Sequence, residues 1–375
     1  MNYGNKLIRL LKKKKRIDLH GFRFKALLKN KKETYFKDVF VKEIPLIPFE
    51  MLELINANLN NFNIINQKYN NLRYNINSQC NVEIFVNYLV SKICELNLSP
   101  NFCLSYGVYY TEMNKFTYRL SEDDYCMIPS KYHKYILKKK KAVYLQLPNI
   151  PVYLSVTNYI NFNFEYIYDN GFLDNNLLIS IVFQIYSAIV IAYKYFKIKH
   201  NDIHVGNIML SNTNLKYLYY SIDTKIYRIP TYGYIVKIID WGRATYEIDE
   251  LKGYNSIFDI HGECFGQYIY DRLGACKDII KPDINRWSDI ILVSHNILNK
   301  CIKFRNTKIG KLLLRIIRDE NNDILDIDNF NWNIYKKITS SKFNIKPRNI
   351  FKNKLFNKYI VSNVQSKNII YDINY

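Results

Sequence analysis

The chain is 375 residues long, with 48% hydrophobic and 15% aromatic residues. This composition can bury a large core, which argues against a disordered chain, and the length suits one domain with two lobes or two small domains. The formal net charge of +21 favours anionic partners such as ATP, acidic proteins, nucleic acid or a membrane surface. Seven cysteines without a close C-x-x-C pair argue against a complete disulfide framework and favour a reducing compartment.

The N-terminal third alternates short strand signals with basic and polar connections. Lys12 to Arg16 form a basic run after only a few apolar residues, which predicts a solvated extension rather than a secretory signal. A nuclear or phosphate-binding patch is the alternative for this run. Residues 38–44 are rich in β-branched and aromatic side chains and predict a strand that Pro45 ends. Residues 56–77 are dense in asparagine and predict an exposed insertion.

Three further elements lead to a predicted lobe boundary. Apolar side chains recur with helical spacing in residues 82–96, a strand should follow in residues 102–110, and a second strand signal occupies residues 151–160. We therefore predict an α+β protein with a small, β-rich N-terminal lobe over residues 1–157. A larger, mainly helical lobe should occupy residues 158–375.

The segment LLISIVFQIYSAIVIAY, residues 177–193, is almost wholly apolar. It is short for a bilayer, has Gln184 in its middle and runs into a polar motif. A helix buried on all sides inside a large lobe explains it better. We therefore expect no integral membrane segment and a cytoplasmic location. Further helices are predicted at residues 287–301, 310–318 and 330–338.

The first motif with chemistry directly follows this apolar helix. HNDIHVGN, from His200 to Asn207, has the H-x-D-x-x-x-x-N spacing of a kinase catalytic loop. Phosphoryl transfer needs a carboxylate that orients the acceptor hydroxyl and an amide oxygen that binds magnesium without adding charge. The spacing predicts these roles for Asp202 and Asn207.

The second motif is VKIIDWGRA, residues 236–244, in which an apolar strand ends at Asp240. Asp240 is predicted to bind the magnesium ion that bridges the nucleotide phosphates. Trp241 stands where phenylalanine is commoner, so an aromatic ring is kept before Gly242. The two motifs together, in this order, predict a phosphotransferase site.

Lys42 lies in the first predicted strand, where a kinase lysine would hold the α- and β-phosphates. Its ion-pair partner should lie on the next helix, and Glu83 is preferred over Glu95 and Glu53. No G-x-G-x-x-G precedes Lys42, and Gly21 is the only nearby glycine. The hairpin that covers the phosphates must therefore be degenerate.

These blocks resemble the divergent serine/threonine protein kinases of large nucleocytoplasmic DNA viruses, including poxvirus- and mimivirus-like members. The likeness runs from roughly Lys42 to the C-terminus. Besides the lysine strand, it rests on SPNFCLSYG (Ser99–Gly107), HNDIHVGNIML (His200–Leu210), YRIPTYGYIVKIIDWGRA (Tyr227–Ala244), GQY (Gly266–Tyr268) and KPDINRWSD (Lys281–Asp289).

The resemblance implies a bilobal protein-kinase-like fold, ATP with Mg²⁺ or Mn²⁺, and a protein hydroxyl as acceptor. For a viral protein it implies the host cytoplasm, with association with the virion left open. It also implies that Asp289 supports the backbone of the catalytic loop. His200 and Gly242 are expected to have supporting roles, His200 by hydrogen bonding rather than by acid–base chemistry.

Three features depart from the family's pattern. No Ala-Pro-Glu follows Asp240, and the stretch between Asn207 and Asp240 is long, with an extra apolar run at residues 215–220. His204 stands two residues after Asp202, where most serine/threonine kinases carry a lysine that touches the γ-phosphate.

Two other functions stay open. With His204, the loop also resembles that of choline and aminoglycoside phosphotransferases, whose acceptor is a metabolite alcohol. The second is a catalytically inactive pseudokinase that binds partners through its basic surface. No specific nucleic-acid partner is expected, because no recognised nucleic-acid motif is present. The oligomeric state stays open.

Overall fold

A computed structural model describes residues 5–47, 73–120, 125, 128, 130–139, 142–258, 262–264, 267–268, 285–329, 331–364 and 368–374. The chain divides into two compact units. The first comprises Met1–Ile84, Ser105–Tyr159 and Ile260–Glu263; the second comprises Phe85–Leu104, Ile160–Asp259 and Cys264–Tyr375.

The fold is mixed α and β, with a strand-rich N-terminal part and most helices later in the chain, which is compatible with a kinase-like fold. The bilobal arrangement and the boundary at residue 157 stay predictions. Most of the predicted insertion, residues 56–72, lies outside the described residues, as does Glu53.

The first unit is built on a five-stranded antiparallel sheet with the order β1-β2-β3-β8-β4. Its strands are β1 (Asn5–Arg16), β2 (Gly21–Asn30), β3 (Thr34–Pro45), β4 (Ser105–Met113) and β8 (Ile150–Asn158). In β3, Val39 and Val41 are buried and alternate with more exposed residues, as the two-residue period of a strand requires. The predicted strands are confirmed, and β3 ends at Pro45 as expected.

A second sheet of the first unit has the order β5-β7-β6 and was not predicted. Its strands are β5 (Phe116–Leu120), β6 (Ile136–Lys139) and β7 (Ala142–Leu147). Phe116 and Leu145 pack with Ile47 and Val152 in one apolar cluster.

Helix α1 (Gln79–Glu95) confirms the predicted helix in this region. In the second unit, helices α2 (Phe164–Asp169) and α3 (Asn175–Phe196) follow. Asp174 caps α3 by accepting a hydrogen bond from the Leu177 backbone N–H at 2.7 Å. All of its residues from Leu177 to Ala192 are buried.

Helix α3 is long and apolar enough to span a membrane by length and composition alone, yet 89% of that apolar window is buried inside the protein. The buried amide of Gln184 is bonded within the unit: its Oε1 accepts from the Val236 backbone N–H at 2.9 Å and from Asn101 Nδ2 at 3.1 Å. Both observations agree with a core helix. The absence of a membrane segment stays an expectation.

Among the residues that the structure describes, the second unit also contains three small sheets. β9 (Phe162–Asn163), β10 (Ile208–Asn212) and β13 (Tyr234–Ile238) form one, in the order β13-β10-β9. β11 (Tyr217–Ile222), β12 (Lys225–Pro230), β16 (Ile360–Val361) and β17 (Ile370–Asp372) form another, in the order β16-β12-β11-β17. β14 (Tyr246–Ile248) pairs with β15 (Leu251–Gly253). The extra apolar run at residues 215–220 thus contributes to the β11–β12 hairpin.

The later helices are α4 (Ser288–Lys300), α5 (Lys308–Ile316), α6 (Trp332–Ser340) and α7 (Pro347–Phe351). Short 3₁₀ helices occupy Ser130–Tyr135, Val205–Asn207, Ser256–Phe258, Ile302–Phe304 and Lys354–Tyr359. The three helices predicted here are confirmed to within two residues at each end.

Candidate active site

The loop His200–Asn207 follows helix α3 in the second unit and carries Asp202 and Asn207. Asn207 Nδ2 donates to the Asp202 backbone carbonyl at 3.0 Å. This bond orients the amide and leaves the Asn207 Oδ1 atom for another partner. The geometry brings the predicted base and the predicted metal-binding amide together on one loop.

His200 joins this loop to the segment that carries Asp240. Its Nε2 donates to the Ile239 carbonyl at 2.9 Å, and its Nδ1 accepts from the Asp202 backbone N–H at 3.3 Å. The ring also packs on Trp241, with centroids 4.6 Å apart. Both ring nitrogens thus form hydrogen bonds that hold the two motifs in position. This agrees with a role of His200 in supporting the catalytic loop.

Asp289, at the start of α4, lies beneath the same loop. Its Oδ2 accepts from the His200 backbone N–H at 2.6 Å, and its Oδ1 accepts from the Asn201 backbone N–H at 2.9 Å. Burial raises the pKa of Asp289, while the nearby His200 and the two backbone hydrogen bonds oppose that rise. One carboxylate therefore fixes the two residues that precede Asp202.

The carboxylate of Asp202 is held on one side by two donors from distant segments. Arg243 Nη1 lies 3.1 Å from Asp202 Oδ1, and the Tyr335 hydroxyl of α6 donates to the same oxygen at 2.9 Å. The other oxygen, Oδ2, lies 4.0 Å from His204 Nε2. The Asp202 side chain is 18% exposed, and both donors named above bind Oδ1 rather than Oδ2.

Asp240 lies just beyond strand β13 and is exposed. Its backbone has φ of +65°, an unusual value that aspartate tolerates better than most residues. Trp241 is buried against Phe102, with ring centroids 5.9 Å apart. The buried Gly242 offers its carbonyl to Asn255 Nδ2 at 2.8 Å. The flanking residues thus anchor the turn that carries the exposed Asp240.

Asp240 and Asn207 are suitable ligands for a hard divalent cation. Magnesium is commonly bound through one or two protein oxygens, with waters and substrate phosphates completing its shell. A carboxylate and an amide oxygen meet that requirement. Among the described residues, no group of three or more His, Cys, Asp and Glu side chains could hold a metal by itself. A resident all-protein metal cage is therefore not seen in that part of the chain.

Lys42 and Glu83 form an ion pair within the first unit, with 2.6 Å between Lys42 Nζ and Glu83 Oε1. Lys42 comes from β3 and Glu83 from the first turns of α1. The Glu83 side chain is 5% exposed and that of Lys42 is 32% exposed. Glu95, the alternative partner, pairs instead with Lys92 at 2.5 Å.

The β1–β2 hairpin stands where a phosphate-covering hairpin was expected. The Ile17 backbone N–H donates to the Gly21 carbonyl at 2.8 Å and closes the turn. A Cβ atom on Gly21 would lie 2.5 Å from Cζ of Phe40, so no larger residue fits without movement. Packing against Phe40 therefore explains the glycine at position 21. The turn itself is formed without the usual glycine-rich sequence.

Comparison with known proteins gives partial matches. No protein-family model matches the chain. Over 70 residues it is 40% identical to the serine/threonine-protein kinase haspin of Mus musculus, which covers 19% of this chain and 9% of that protein. A haspin homolog of Drosophila melanogaster is 25% identical over 158 residues, 39% of this chain and 27% of that protein. The chain has weak, partial homology to the haspin kinases.

The haspin relatives are animal proteins, and the matches do not support the viral origin that the sequence motifs suggested. They support a protein kinase of the eukaryotic protein-kinase-like superfamily. The matched segments span less than a third of each relative, so the substrates and partners of those kinases do not transfer directly.

Two residues at the candidate active site were missed by the sequence analysis. Arg243 lies inside the second motif, three residues after Asp240, and a charged residue directly after Trp241 and Gly242 was an available signal. Tyr335 is 133 residues from Asp202 and has no sequence signal.

Proposed function

We propose that this chain transfers the γ-phosphoryl group of ATP to serine or threonine hydroxyls of proteins. The observation that carries the proposal is the braced loop in which Asp202 presents one carboxylate oxygen while Asn207 is oriented beside it. The partial similarity to serine/threonine-protein kinases supports the same class of reaction.

In this mechanism Asp202 Oδ2 accepts the hydrogen bond of the acceptor hydroxyl and aims its oxygen at the γ-phosphorus. The new bond joins the hydroxyl oxygen to phosphorus, and the bond from phosphorus to the β,γ-bridging oxygen breaks. The electron pair of that bond leaves with ADP, and the hydroxyl proton passes to Asp202. Most of the rate then comes from positioning and electrostatics.

Asn207 and Asp240 would hold the divalent cation, which neutralises charge on the nucleotide phosphates when bound. Lys42 would bind the α- and β-phosphates, and the buried Glu83 carboxylate 2.6 Å from Lys42 Nζ restricts the lysine to one direction. His200 and Asp289 are positioning residues, because their hydrogen bonds hold the loop.

A metabolite alcohol is the competing acceptor, and His204 in place of the lysine is the feature in its favour. The test offers labelled ATP and Mg²⁺ with casein, a basic protein and a panel of small alcohols, followed by phosphoamino-acid analysis. We expect labelled serine or threonine. Label found only in a small alcohol would replace this proposal with a metabolite kinase, and no label in any acceptor would favour the pseudokinase.

A further inference from the structure

Phosphoryl transfer leaves negative charge on the equatorial oxygens of the moving group, and active sites place a cation there. In most serine/threonine kinases, a lysine two residues after the catalytic aspartate serves that purpose. Here the position holds His204. The site needs a cation from another source.

The histidine is poorly suited to carry a positive charge. Its Nδ1 accepts a hydrogen bond from the Gly206 backbone N–H at 3.1 Å, and a ring nitrogen that accepts a hydrogen bond carries no proton. His204 therefore acts as a cap of the short helix Val205–Asn207.

Arg243 is the cation beside the reacting position. Its Nη1 is 3.1 Å from Asp202 Oδ1 and 3.3 Å from Gln267 Oε1, and its side chain is 23% exposed. Guanidinium stays charged at any working pH and has five N–H donors in a planar fork, a geometry that matches phosphate oxygens. One guanidinium can therefore bind Asp202, Gln267 and a phosphoryl oxygen from the same place.

The position of Arg243 in the chain adds to this argument. It lies three residues after Asp240, on the segment that also contains the predicted metal ligand. Asn201 Nδ2 donates to the Arg243 carbonyl at 2.9 Å, which links the arginine backbone to the residue before Asp202. The guanidinium is thus placed by the same contacts that place the reacting carboxylate.

We propose that Arg243 is the γ-phosphate-binding cation of this site and replaces the catalytic-loop lysine. The assignment rests on the proposed phosphotransfer function. If Arg243 has this role, a lysine introduced at position 204 should compensate for the loss of Arg243. A purely structural role of Arg243 predicts no such compensation.

The experiment compares Arg243→Met, Arg243→Lys, His204→Lys and the double variant His204→Lys/Arg243→Met in the full chain. We expect Arg243→Met to lower kcat by about 10²–10³-fold, the usual effect of removing one transition-state donor, with little change in KM for the protein acceptor. The kcat of the double variant should be at least about tenfold higher than that of Arg243→Met. Arg243→Lys should fall between wild type and Arg243→Met.

Arg305 is the matched control. Its side chain is 19% exposed and its Nη1 is 2.9 Å from Asp328 Oδ1, so it has similar burial and also pairs with an aspartate, one that is exposed. Arg305→Met should change the melting temperature but leave kcat per folded molecule unchanged. If Arg243→Met behaves like Arg305→Met, the assignment is wrong.

A second readout needs no turnover. The affinities for Mg·ATP and Mg·ADP are measured by calorimetry. The ratio of the Mg·ATP affinity to the Mg·ADP affinity should fall in Arg243→Met and recover in the double variant. An unchanged ratio together with no recovery of kcat would overturn the assignment. If wild type transfers no phosphate, the proposed function fails, but the affinity ratio still decides whether Arg243 senses the γ-phosphate.

Discussion

Asp289 offers the sharpest prediction about the support of the catalytic loop. It is 4% exposed, and its two oxygens accept from the backbone N–H groups of His200 and Asn201, which are themselves buried. Asp289→Asn keeps one acceptor and turns an NH₂ group toward the other N–H. One buried donor left without a partner costs about 1–3 kcal/mol, so this variant should lose about that much stability.

Asp289→Ala removes both acceptors and should cost about 2–6 kcal/mol by the same reasoning. Because the Asp289 carboxylate is buried and a buried charge is costly, both losses should lie toward the lower ends of these ranges. The loss should also lower phosphotransfer beyond the unfolded fraction, because Asp202 follows the two anchored residues directly.

Urea unfolding followed by tryptophan fluorescence measures this well, because Trp241, Trp287 and Trp332 all belong to the second unit. Asp249→Asn is the control, since Asp249 is exposed in a turn and its replacement should change stability by less than about 0.5 kcal/mol. An Asp289→Asn variant within about 0.5 kcal/mol of wild type would refute the reasoning.

Three further predictions concern separate contacts. Lys42→Met removes the lysine partner of the buried Glu83 carboxylate and should cost stability toward the low end of about 3–5 kcal/mol, because Lys42 is partly hydrated. Lys42→Met/Glu83→Leu should regain stability in urea but not activity. Tyr335→Phe removes one of the two hydrogen bonds on Asp202 Oδ1 and should lower kcat about tenfold in initial-rate assays at unchanged KM; an unchanged kcat would contradict the role. Burial lowers the pKa of His295, so unfolding takes up a proton and stability should fall as pH drops below about 6.5, by at most about 1.4 kcal/mol per pH unit. Urea midpoints at pH 7.5 and 5.5 should differ less in His295→Gln than in wild type, and equal differences would exclude this titration.

The elements that sequence analysis predicted best are those whose residue pattern is local. The apolar run in α3 and the β-branched alternation in β3 each determine one element without help from the rest of the chain. The pairing of Lys42 with Glu83, 41 residues apart, was predicted instead from the kinase pattern, in which the strand lysine pairs with a glutamate of the next helix.

Contacts between distant segments were not predictable in this way. The β5-β7-β6 sheet is short-stranded and polar at its edges, so its pattern was too weak to separate from loops. Arg243 and Tyr335 approach Asp202 from 41 and 133 residues away, and only tertiary structure brings such residues together. The sequence showed Gly21 only as the one glycine near Lys42, and its close approach to the Phe40 ring is visible only in the structure.

The most direct test of the central claim compares wild type with Asp202→Asn for transfer of labelled phosphate to protein serine or threonine, with Mg·ATP affinity measured on the same samples. The account predicts that Asp202→Asn loses transfer while its nucleotide affinity stays near that of wild type, because Asp202 orients the acceptor and does not bind the nucleotide. Transfer at the wild-type rate in Asp202→Asn would contradict the account.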